Sequence, residues 1–193
     1  MSFFKFKKPK HTGEVLAYGK NVAVRDFFSS PAHAVESLFE RESFEGDVWE
    51  PASGQGVMSR VIENYNECYS SDIRENCYGE GDLDFLHTDT DFEVDNIITN
   101  PPYIYMRDFI EKAKSTATRK IAFLSKLSFL EGKKKYPMWK DTEFPFKCVY
   151  VFSKRLNFFV EQEQREVDGS VGYAWYVWDK NYKGAPQIEW IKG

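Results

Sequence analysis

No C-x-x-C pair occurs in this sequence. Its three cysteines, Cys68, Cys77 and Cys148, are an odd number at unrelated spacings, which argues against a disulfide framework. Histidine is equally scarce. His11, His33 and His87 stand at no ligand-like interval, so no metal site is expected. No run approaches the roughly 18 apolar residues of a membrane span, and the N-terminal MSFFKFKKPK has no apolar core or cleavage site. A cytoplasmic protein is the expectation. Positive charge is not in excess either: the net charge is −4, so the chain does not advertise a polyanion partner, although an average can conceal a local patch. The phosphate-loop pattern G-x-x-x-x-G-K-[ST] is missing. G-x-G-x-x-G is broken, because Ser59 stands where its third glycine would follow Gly54 and Gly56. Internal repeats and low-complexity blocks are absent as well.

What is present is a 193-residue chain, 42% hydrophobic and 17% aromatic, of a length suited to one domain with a real core. We expect residues 1–193 to form that single domain. Residues 1–24 read as an extended basic arm in which Lys5, Lys7, Lys8 and Lys10 can meet phosphates or simply face water. SSPAHAVESLFE reads as a helix with Ser30 at the N-cap and Pro31 at N1. GDVWEPASGQGVMSRVIENY reads as strand, glycine loop and helix. CYSSDIREN gives a weaker strand ending near Asp72, and VDNIITNPPY another. MRDFIEKAKSTAT is helical, and KIAFLSKLSFLEG is a buried strand with its exit. KCVYVFSKRLNFFVEQ and VGYAWYVWDK are two further strands, joined by the polar EQEQREVDGS. Alternating strands and helices predict a mostly parallel twisted sheet of about seven strands with helices on both faces. The last two strands have no helix between them, so one is expected to run antiparallel at the sheet edge.

Three features fall at successive strand ends, where such sheets bind ligands. The first is Glu50-Pro51-Ala52-Ser53-Gly54-Gln55-Gly56, whose glycines permit a tight turn and whose acid suits an amine. The second is Asp72, 22 positions after Glu50, where a carboxylate can accept from a ribose diol. The third is Asp84-Phe85, an acceptor for an adenine amine beside a ring; Asp82 competes for that role. Each alone is also what a tight turn, a helix cap or a solvated acidic turn would look like. Together they describe a pocket for an adenosine carrying an amine and no phosphate. On the next strand Asn100-Pro101-Pro102-Tyr103 ends the ladder, since proline cannot donate to it.

With these residues in that order, the chain from about 25 to 178 resembles the class I S-adenosylmethionine-dependent methyltransferases, and within them the compact N6-adenine DNA methyltransferases of the kind phages carry. FFSSPAHAV is similar to the family's N-terminal cofactor-covering segment, EPASGQG to its cofactor loop and NPPY to its catalytic motif. The resemblance implies a Rossmann-like α/β fold, S-adenosylmethionine as cofactor and no metal. It implies cofactor contacts from Phe28, Ser30, Pro31, Glu50, Pro51, Ala52, Ser53, Gly54, Gly56, Asp72, Ile73, Asp84, Phe85 and Asn100. The partner it implies is nucleic acid, DNA with a flipped adenine.

The exocyclic amine of adenine is a poor nucleophile, because its lone pair is delocalised into the ring. The Asn100 side-chain oxygen and the Pro101 carbonyl can each accept one of its hydrogens, with Pro102 holding the turn rigid and Tyr103 offering a stacking face. Phe158 can supply a second ring face or pack in the core. Lys133, Lys134 and Arg155 can contact phosphates or face solvent. No separate target-recognition region is visible: besides the arm, only the loops near 131–145 and 161–170 remain for it. Alternatives are the same chemistry on RNA, transfer to a protein glutamine amide, and a non-catalytic binding subunit.

Overall fold

The computed structural model describes residues 28–88, 93–160, 165–167 and 171–192. The expected basic arm at 1–24 and part of the loop at 161–170 lie outside them. Apolar runs ended by turn residues become strands: β1 (Phe28–Ser29), β2 (Val48–Glu50), β3 (Cys68–Ser70), β4 (Val94–Thr99), β5 (Ala117–Lys126), β6 (Phe146–Phe152), β7 (Phe158–Val160), β8 (Arg165–Val167), β9 (Tyr173–Asp179) and β10 (Gln187–Ile191). Segments with helical apolar spacing become α1 (Ala32–Phe39), α2 (Val57–Ile62) and α3 (Met106–Thr116), with a short α4 (Tyr136–Trp139).

Seven strands form the main sheet in the order β10-β6-β9-β5-β4-β2-β3. Neighbours are parallel except around β9, which runs antiparallel to both β5 and β6. The antiparallel strand is therefore interior, not at the edge as expected. Its composition explains the placement: Trp175, Tyr176, Val177 and Trp178 are all fully buried, and an edge would leave one side of them to water. The edge position goes to β10, an additional strand with the sequence QIEWI.

Side chains alternate between two cores, as the period of two requires. On one face Trp49, Ile97, Phe123, Tyr176 and Trp178 pack with α3 and α4. On the other Val48, Ile98, Leu124, Trp175 and Val177 pack with α1 and α2. Each buried tryptophan finds a polar partner for its indole N–H, as Trp49 does at Ser71 Oγ (2.9 Å) and Trp175 at the Ala34 carbonyl (2.7 Å). Glu42, just past α1, is buried between Lys120, Lys147 and the Tyr150 hydroxyl, tying that end of the helix to β5 and β6.

From β2 the chain moves to β3 on one side, and β4 then pairs on the other. That reversal opens a crevice at the carboxyl ends of β2 and β4. The second sheet, β1-β7-β8, sets Ser29 opposite Phe159 and delivers the residue after β1, Ser30, to the same crevice.

Candidate active site

One wall of the crevice is the glycine loop. Gly56, immediately before α2, has φ +78°, and a Cβ there would meet the Tyr78 ring at 2.2 Å, so both conformation and space demand glycine. The loop is pinned by the segment after β3. Ser53 N–H donates to the Ser71 carbonyl (3.0 Å), Tyr78 N–H to the Gly54 carbonyl (2.8 Å), and Ser53 Oγ to the Tyr78 carbonyl (2.7 Å). Pro51 is buried, and Ala52, Gly54 and Ile73 are half-buried.

Glu50 closes the floor at 2% exposure. Its carboxyl accepts from Ser59 Oγ, which in turn accepts from Ser70 Oγ at 2.8 Å. Among the described residues no cation lies within ion-pair distance of it. Burial pushes its pKa up from 4.5 to about 8; the Ser59 hydroxyl pulls the other way, and the nearby Asp72 charge adds to the rise. The folded pKa is raised, so Glu50's contribution to stability is fully present below pH 4.5 and is lost as pH rises toward 8. The ligand-free protein is expected to lose denaturant resistance across that window, and Glu50→Gln to lose less. Parallel curves for the two proteins in urea titrations at pH 5 and pH 8 would contradict this.

Asp72, the expected diol acceptor, stands beside the loop with its carboxylate engaged. Oδ2 accepts from Gly54 N–H (2.9 Å) and the Arg74 guanidinium (3.2 Å), and Oδ1 from Arg74 N–H and Nε, both at 3.0 Å. A diol reaching Asp72 must displace Arg74. Asp84 caps a short 3₁₀ turn through Leu86 N–H (3.0 Å) and contacts His87 Nδ1 at 2.7 Å. The Phe85 ring does not face the crevice. It lies in the core at 2% exposure, 5.0 Å from the Trp49 and Phe109 rings.

The opposite wall is the end of β4. Asn100 donates from Nδ2 to Ser30 Oγ at 3.0 Å, across 70 residues of sequence. Its Oδ1 is buried without a hydrogen-bond partner among the described residues. Ser30 therefore does not cap α1 as expected: the helix begins at Ala32 after Pro31, with no side-chain cap, because the serine oxygen is spent on Asn100. Pro101 is buried, and the Pro102 carbonyl accepts from Tyr105 N–H at 3.0 Å, turning the chain into α3. Tyr103 packs against both cores, and the Lys126 ammonium lies 4.8 Å from its ring centroid.

Of the expected substrate residues, Arg155 is exposed beside the joint of β5 and β9; a Cβ on Gly172 would come within 2.9 Å of its Nη1 and 3.5 Å of Leu127 Cδ1. Phe158 is buried, its ring 4.6 Å from that of Tyr173, and so belongs to the core. Lys133 and Lys134 are exposed on a 3₁₀ turn beyond β5. Of Phe28 the structure describes only the backbone, in β1. Sequence reasoning missed Arg74 and Tyr78, both in the loop after β3, and Lys126, the last residue of β5. Among the described residues no acidic, cysteine and histidine cluster could hold a metal, and no helix is long and apolar enough to cross a membrane.

Solved structures share this fold. One, from Listeria monocytogenes, is provisionally described as a class I S-adenosylmethionine-dependent methyltransferase. It matches at TM-score 0.55 and 10% identity, over 83% of this chain and 62% of that one. The fold is that of the class I methyltransferases. A protein of Pyrococcus horikoshii provisionally described as an RNA methyltransferase matches at TM-score 0.55 and 13% identity, over 77% of this chain and 81% of that one. The modification subunit of a provisionally described type I restriction enzyme from Vibrio vulnificus matches at 0.56 and 10%, over 89% of this chain and 48% of the subunit. This chain thus spans less than two thirds of the Listeria protein and about half of the Vibrio subunit. No protein-family model and no curated protein matches it.

Proposed function

We propose that this chain is an S-adenosylmethionine-dependent methyltransferase acting on the N6 amine of adenine in DNA, with residues 1–193 working as one unit. The observation that carries the reading is the buried Oδ1 of Asn100, unpartnered among the described residues and fixed in direction by the bond from its own amide to Ser30. A buried acceptor without a donor is costly unless a ligand supplies one. An exocyclic amine has two hydrogens to offer.

The residues present fit the cofactor. Asp72, beside Gly54, has the chemistry to accept a ribose diol once Arg74 gives way, and buried Glu50 lacks a cation among the described residues. S-adenosylmethionine supplies, when bound, a methyl group already activated on a sulfonium. The chain's own contribution is alignment and electrostatics. Asn100 Oδ1 and the Pro101 carbonyl accept from the amine as it becomes tetrahedral and partly positive, which stabilises the transition state more than the ground state. The rigid prolines keep those acceptors in place, so little reorganisation is needed.

RNA is the second reading, favoured by the description of the Pyrococcus neighbour. The test is nucleoside mass spectrometry of DNA and RNA from a host lacking adenine methyltransferases that expresses this chain. N6-methyldeoxyadenosine in the DNA is the expected result. N6-methyladenosine confined to RNA would move the assignment to the second reading, and neither product would overturn both.

A further inference from the structure

Four lysines rest on aromatic rings among the described residues, and three of them also have an oxygen partner. Lys114 lies over Trp178 and pairs with Asp141; Lys120 lies over Phe44 and pairs with Glu42; Lys135 lies over Phe129 and donates to its carbonyl. Lys126 differs. Its ammonium lies 4.8 Å from the Tyr103 ring centroid, and no carboxylate or carbonyl among the described residues accepts from it. It is the last residue of β5, only half-exposed, and is held in register opposite Tyr173 of β9. A second cation, Arg155, lies at this joint beside Leu127 and Gly172. A partly desolvated ammonium whose only partner among the described residues is a ring is poised for an anion.

The same ring is where a flipped base would stack, and an ammonium and a base compete for it. We propose that Lys126 is a phosphate-reading placeholder. It covers the Tyr103 ring in the free protein, then transfers its ammonium to a backbone phosphate as the base of a bound strand takes its place. The exchange is favourable because a charge-assisted bond to phosphate outweighs a cation–π contact. This inference rests on the methyltransferase reading for the identity of the site. It adds that the substrate carries phosphodiesters, which a protein glutamine does not. Lys126 is a substrate-positioning residue here, and no proton or bond changes at it.

The test is binding of a single-stranded, adenine-containing DNA by the full chain, followed by fluorescence anisotropy over a series of salt concentrations. Lys126→Met keeps the length and apolar stem and removes the charge; Lys126→Arg keeps the charge. The methionine variant is expected to bind about tenfold more weakly at low salt, with the slope of log affinity against log salt reduced by about 0.7, one phosphate contact on a single strand. The arginine variant is expected to keep both affinity and slope. A methionine variant with native slope and affinity would overturn the assignment, as would an absence of DNA binding by the native chain. Calorimetry with S-adenosylmethionine separates the two ideas. A chain that binds DNA through Lys126 but not the cofactor would retain the phosphate contact and lose the methyltransferase reading. A chain that binds cofactor with an unaltered salt slope in Lys126→Met would do the reverse.

Discussion

Asn100→Ala is expected to lower methyl transfer about a thousandfold, the upper range for removing one preorganised polar group at a reacting centre. The size follows from burial. Asn100 Oδ1 has already lost its water and has no protein donor among the described residues, so nothing inside the site competes with the substrate amine for it. Its direction is fixed by the 3.0 Å bond from Nδ2 to Ser30, so no reorganisation is required as charge develops. An interaction that strengthens only in the transition state appears in kcat, and kcat and kcat/KM should fall together. S-adenosylmethionine affinity by calorimetry should change no more than about threefold, because Asn100 is one of many expected cofactor contacts and its loss falls mainly on the substrate amine. Retained turnover would remove the amine-polarising role. A collapse of cofactor affinity with turnover preserved at saturation would recast Asn100 as a binding residue.

Asp72→Ala is expected to weaken S-adenosylmethionine binding about a hundredfold, the cost of losing two hydrogen bonds to a charged acceptor. Two causes act together. The diol loses its acceptor, and the glycine loop loses the carboxylate that holds Gly54 N–H. Arg74→Ala separates them. It frees the two guanidinium bonds now made to Asp72 while leaving the backbone N–H of residue 74 and Gly54 attached, so it should leave cofactor affinity unchanged or raise it. Unchanged affinity in Asp72→Ala would take Asp72 out of the ribose site. A large loss in Arg74→Ala would mean that the guanidinium itself belongs to the bound state.

The residues that could be read from the sequence are those whose role is local. Val48–Glu50 before the glycine loop, Val94–Thr99 before the prolines and the apolar stripe of α3 announce themselves by period and punctuation. Asn100 was legible because prolines after a buried run leave it at a strand mouth. The partner that orients it was not, because Ser30 arrives through the β1-β7-β8 sheet, and pairing between distant short strands leaves no periodic trace. For the same reason KRLNFF read as a continuation of β6, whereas β7 leaves for the other sheet. Phe158 looked equally suited to stacking or to the core, and Phe85 was expected beside an adenine; packing against Trp49, Phe109 and Tyr173 places both in the core. The segment QIEWI has only one fully buried side chain, Ile191, so its strand character comes from the β6 backbone and not from its own pattern.

The interior position of β9 has a consequence for synthesis. β5 and β6 both leave the ribosome before the strand that will lie between them, and until β9 follows, each presents an open hydrogen-bonding edge. The two tryptophans and the tyrosine that fill the centre of both cores are also on β9. The nascent chain therefore cannot close its sheet piecemeal as the strands emerge. It must hold an unfinished half-sheet until residues 173–179 are available, and then complete it in one long-range step. Chains interrupted before residue 173 should gather into aggregates through those open edges, and premature termination would be more damaging here than in a fold whose antiparallel strand lies at the rim.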